Sequence, residues 1–181
     1  MSTDLPLAVI PFWTYKADSR VSRMIASITR SPFSHTGVAF RFAGGRIEYF
    51  ESLLSDGFQG PKDGEELDQF AIKPGNRLQC LALPTTGDTT AAIYASALAM
   101  RGSGYNTAQL IWIALSRRYG TPVPSSPNRV ICSEAHARIL YPFFDIRDIH
   151  HRRFDDVTPH TAWIRHLEIR AGHNPSAIEK E

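Results

Sequence analysis

An apolar, β-branched run at 36–42 meets Gly44-Gly45 and is followed at once by a second strand-like run at 46–52. Two such runs joined through paired glycines specify a β-hairpin, which commits the chain to an antiparallel sheet. Strand side chains alternate, so Ile47, Tyr49 and Glu51 share one face of the second run, while Glu48 and Phe50 share the other.

The remaining segments are read around that hairpin. Residues 7–12 read as a first strand ending near Pro11. Ser19 begins a helix with Val21, Met24, Ile25 and Ile28 at helical spacing, and Ser31-Pro32 stops it. Residues 55–66, rich in Gly, Asp and Lys, read as a loop. Strands are expected at 67–72 and 77–83, separated by the turn signal Lys73-Pro74-Gly75-Asn76. Asp88 is the expected cap of a helix running to Arg101, and Gly102-Ser103-Gly104 breaks the chain before another helix at 107–118. A proline-rich connection at 120–127 leads to a helix that begins at Cys132, and Thr158-Pro159 opens a short helix through Trp163. The expected fold is α+β, an antiparallel sheet with helices packed on one face, as one domain over 1–171 with a loose tail at 172–181.

At 181 residues and 43% hydrophobic content the chain can bury a real core without disulfides or metal. Its net charge of +2, with arginines scattered among acids, gives no support to nucleic-acid binding. There is no signal-peptide pattern and no apolar run of membrane-spanning length, so the default expectation is a cytoplasmic protein, with delivery by phage or another route open. Of the two cysteines, Cys80 lies in an apolar strand-like run and reads as a small core residue.

Cys132 reads differently. Val130-Ile131 delivers it to a helix start, where unpaired N–H groups and the helix dipole favour a thiolate. His35, opening the first hairpin strand, is the candidate base. Near the open end of the hairpin Glu51 can hold one ring nitrogen while the other faces Cys132; Glu48 is its rival on the opposite face. His136, four residues after Cys132 on the same helical face, is a second candidate base, but i,i+4 stacking leaves no place between the two for a substrate carbonyl. It reads as a supporting or packing residue. His150-His151 lacks further ligands at metal spacing and reads as a solvated loop. Taken singly, each of these residues has a plain structural reading: a packed cysteine, a partly exposed histidine.

Ser34-His35-Thr36-Gly37-Val38, then Tyr49-Phe50-Glu51-Ser52, then Cys132-Ser133-Glu134, in that order, resemble the circularly permuted papain-like NlpC-type proteins of the YiiX/YaeF group. Gly104-Tyr105-Asn106 resembles the family's G-x-Y-D element, with Asn106 in place of Asp, and Asp156-Val157-Thr158-Pro159 its closing motif. The resemblance implies a permuted papain-like fold with Cys132 as nucleophile, His35 as base and Glu51 as the orienting residue. It implies a cysteine hydrolase, an amidase or peptidase cleaving a small peptide or cell-wall-like amide through a thioester, with no cofactor or metal. The alternatives are an LRAT-like acyltransferase or thioesterase acting on an acyl lipid, and a non-catalytic binding module. Tyr105, Ser133, Trp13 and Tyr15 are candidate substrate contacts, Trp13 and Tyr15 reading equally well as core aromatics. Substrate and oligomeric state are left open by the sequence.

Overall fold

The computed structural model describes residues 4–109, 128–144 and 162. The expected elements within 110–127 and at 158–163, the His150-His151 pair and the tail lie outside them, apart from a helical, buried Ala162. Five strands, β1 (Ala8–Tyr15), β2 (His35–Arg41), β3 (Ile47–Leu53), β4 (Gly57–Asp63) and β5 (Arg77–Cys80), form one antiparallel sheet in the order β4-β3-β2-β1-β5. Four helices lie wholly within the described residues: α1 (Arg20–Thr29), α2 (Glu65–Ala71), α3 (Gly87–Ala99) and α4 (Cys132–Phe144). The β2–β3 hairpin turns through Ala43–Gly45, where Gly44 and Gly45 both take positive φ. Among the described residues no helix is long and apolar enough to cross a membrane.

Strand alternation sorts the side chains into two cores. On one face Val9, Trp13, Val38, Phe40 and Phe50 pack with Ile93 and Ala97 of α3 and with Ala135, Ile139 and Leu140 of α4. On the other, Phe12, Ala39 and Tyr49 pack with Leu67 of α2. The expectation of helices on one face is therefore corrected: Phe12 and Tyr49 make the second face apolar as well, and an apolar face requires a cover.

That cover comes from residues expected to be loop and strand. Residues 55–66 hold the edge strand β4 and the start of α2, and 67–72 continue α2 instead of forming a strand. The turn-like composition misleads because an edge strand tolerates glycine and proline that a central strand would not. Cys80 is exposed, not a core residue, because it ends the other edge strand. The cap of α3 is Thr86, whose hydroxyl accepts from the Thr89 N–H at 3.3 Å; Asp88 sits inside the first turn, where its charge still suits the dipole.

Helix α1 starts at Arg20, one residue after the expected Ser19, which is its N-cap, with Ser22 N–H donating to the Ser19 hydroxyl at 3.1 Å. Its burial is inverted relative to its composition. Ser22 and Thr29 face inward, whereas Val21, Met24 and Ile28 are 41%, 50% and 36% exposed. Ser22 is held there by a hydrogen bond to the buried Ser34 hydroxyl and by the Lys16 N–H at 3.0 Å.

Candidate active site

His35 and Glu51 lie on adjacent antiparallel strands, with Glu51 opposite Gly37. Residues 35, 37, 49 and 51 therefore share one face of the sheet. His35 Nε2 is 2.9 Å from Glu51 Oε2, a contact that leaves Nδ1 for the sulfur of Cys132, to which the ring is hydrogen-bonded. Cys132 is the first residue of α4, a helix that packs on the opposite face, against β2 and β3. It meets His35 where β2 begins. Backbone N–H groups of Thr36 and Ser133 also donate to the sulfur.

Backbone pairing fixes the approach of α4. Phe58 N–H donates to Ser103 O at 2.7 Å, Gly104 N–H to Asn128 O at 3.0 Å, and Val130 N–H to Gly104 O at 2.8 Å. Ser52 Oγ then donates to Val130 O at 2.9 Å, joining β3 to the residues before the cysteine. Gly57 makes this possible: its φ is +72°, and a Cβ there would run into the Ser103 carbonyl. Asn106 Oδ1 accepts from Gln109 N–H at 3.3 Å, a capping role that Asp would fill equally well.

Electrostatics favour an ion pair. Burial works against a charged ring at His35 and against a thiolate at Cys132. Their mutual attraction and hydrogen bond outweigh it, so the histidine is pushed up and the thiol down. Burial would also raise the Glu51 carboxyl, yet His35 and then Lys62 hold it at about 2. Lys62 was not foreseen. Its Nζ donates to Glu51 Oε1 at 2.8 Å from β4, on the side of Glu51 away from the histidine. The only trace in the sequence is Gly60-Pro61 inside a strand, which marks a bulge.

A cleft of about 680 Å³ opens between α1 and α2 and reaches His35, Glu51 and Tyr105. Tyr105 stands near enough to Cys132 that burial and then the thiolate charge push its phenol up. The other expected substrate contacts lie elsewhere. Trp13 is fully buried, 5.4 Å from the His136 ring between centroids, Ser133 is fully buried behind the cysteine, and Tyr15 sits under the Arg77 guanidinium. Glu48 faces α3, where the Tyr94 hydroxyl donates to it at 2.7 Å and Arg46 pairs with it. His136 Nδ1 is 2.9 Å from Thr36 Oγ1, and the Thr36 proton goes to Phe12 O at 2.8 Å, so the histidine is the donor. Burial pushes its pKa down to about 3, so the ring is neutral.

No protein-family model matches this chain, and no curated protein matches its sequence.

Proposed function

We propose that the protein is a cysteine-dependent hydrolase of permuted papain-like type, cleaving an amide or peptide bond. The observation that carries this reading is the linear array Cys132–His35–Glu51, with the imidazole bound on both sides. A thiolate between imidazolium and helix start attacks the carbonyl, and the Cys132 backbone N–H supports the oxyanion. His35 protonates the leaving group, then takes a proton from water as that water cleaves the thioester. Glu51 fixes the ring orientation and stabilises its charged form. Tyr105, which lines the cleft and lies near Cys132, borders the position of the scissile group. The resemblance in the order Ser34-His35, Glu51, Cys132-Ser133-Glu134 supports the same assignment.

One observation favours a second reading, acyl transfer or thioester hydrolysis on a lipid: Val21, Ile25, Leu53 and Leu54 give one side of the cleft an apolar lining.

The test is the alkylation rate of Cys132 by iodoacetamide against pH, with exposed Cys80 as internal control. An ordinary thiol titrates near pH ~8.5. Cys132 is expected to react well below that, and His35→Ala to abolish the acidic reactivity. Ordinary labelling unaffected by His35→Ala would remove the nucleophile assignment and favour a binding module.

A further inference from the structure

Helix α1 presents an apolar stripe that nothing among the described residues covers. Val21, Met24, Ile25 and Ile28 share one face, and three of them are more than a third exposed. The inward face is held instead by Ser22 at the Ser34 hydroxyl. Burial of apolar surface therefore does not explain why this face is apolar. Leu54, 49% exposed at the end of β3, joins Val21 and Ile25 around the same cleft mouth. Two elements thus contribute apolar residues to one rim.

Charge identifies the occupant. Within α1 and its C-cap the only ionisable residues are Arg20, Arg23 and Arg30, and all are exposed. Arg20 stands one turn before Met24, on the flank of the stripe. The opposite wall of the cleft, α2, carries Glu65, Glu66 and Asp68 in its first turn, with Glu66 tied to the Tyr49 hydroxyl at 2.9 Å. The cleft mouth therefore has a basic apolar side and an acidic side. A second copy packing α1 against α1 about a two-fold axis would bring the arginines of the two helices together, which disfavours that mode of self-association. A helix whose ionisable residues are all arginines, with an apolar stripe flanked by Arg20, suits the boundary between anionic headgroups and acyl chains.

We propose that α1 is an interfacial helix that docks the protein on an anionic phospholipid bilayer. Val21, Met24 and Ile28 enter the acyl boundary, Arg20 reaches the lipid phosphates along its own aliphatic stem, and Arg23 and Arg30 add to the positive field of the helix. The acidic α2 wall is repelled, which orients the protein with its α1 rim on the membrane. This docking does not depend on the chemistry of Cys132.

Flotation with phosphatidylcholine vesicles, with and without phosphatidylglycerol, tests it. The full chain should float only with phosphatidylglycerol and be released by high salt. Met24→Asp should reduce the bound fraction about tenfold or more, as expected when a charge replaces a buried anchor. Leu7→Asp, at an even more exposed apolar residue outside α1, should leave it unchanged. Arg20→Ser with Arg23→Ser should reduce flotation on phosphatidylglycerol vesicles as well, and circular dichroism unchanged from the wild type in this variant and in Met24→Asp guards against misfolding. Cys132→Ala should float like the wild type, so loss of the hydrolase reading leaves this result standing. The proposal is overturned if the wild type stays with the unbound fraction, or if Met24→Asp floats equally well. A dimer in sedimentation equilibrium that Met24→Asp dissociates would also overturn it, assigning the face to self-association.

Discussion

Lys62 reaches Glu51 because β4 slips by one residue between its pairings with Glu51 and Tyr49. Gln59 lies opposite Glu51, but Lys62, not Pro61, lies opposite Tyr49. Gly60, at φ +138°, absorbs the extra residue, and a Cβ there would strike the Phe50 ring. An unbulged strand would leave Lys62 on the other face, and among the described residues the carboxylate would have the histidine as its one cation. The bulge is thus what gives Glu51 two partners.

With Lys62 replaced by Met, the charge of Glu51 acts on His35 without a competing cation. The imidazolium should then persist to higher pH, since a less neutralised anion favours the charged ring. A histidine NMR titration checks this, with Tyr49, Glu66 and Cys132 as the other ionisable groups around the pair. Lys62→Arg should restore the wild-type curve. An unchanged titration in Lys62→Met would reduce the lysine to a packing role.

Glu51→Gln should slow turnover of any cleaved substrate by about tenfold or more while leaving the fold intact, because the histidine loses the carboxylate that orients it and stabilises its charge. Glu48→Gln should leave kcat unchanged, because its partners are Tyr94 and Arg46 and it lies across the sheet from His35. Equal losses in the two variants would contradict the assignment.

His136 is neutral when folded, with its pKa down at about 3, against about 6.5 in an unfolded chain. Below pH ~6.5 the unfolded state takes up the proton first, so stability is lost as pH falls from about 6.5 toward about 3. Urea denaturation across that window should show the slope, and His136→Phe should flatten it. The same variant should keep the acidic reactivity of Cys132 if His35 is the base; loss of that reactivity with the fold retained would give His136 the role.

Gly57→Ala should cost about 1–3 kcal/mol, because it combines a positive φ with a clash against the Ser103 carbonyl. It should also slow Cys132 alkylation, since 103–104 carry the pairing that sets Val130. Gly44→Ala, at φ +70° with open space around its Cβ, should cost only about 1 kcal/mol and leave alkylation alone. Identical alkylation in both would detach Gly57 from the site.

The sequence by itself determined what local patterns can specify. Alternation and Gly44-Gly45 set the hairpin that puts His35 beside Glu51, and Ile131-Cys132 set a helix that starts at the thiol. These are short-range consequences of side-chain period, turn chemistry and helix termini. Fold class follows from them, since a hairpin next to amphipathic helices leaves few ways to bury both. Only the tertiary structure decided the rest. A glycine-rich segment became β4 because an edge strand needs pairing on one side alone, and its slip brought in Lys62. The apolar stripe of α1 turned outward because Ser22 found Ser34, a contact between residues whose separation along the chain carries no periodic signal. Glu48 and Glu51 were equal in composition, and the packing of α3 on one face and the meeting of His35 with Cys132 on the other separated them. Such outcomes depend on which surfaces meet, and that is a property of the folded chain rather than of any segment in it.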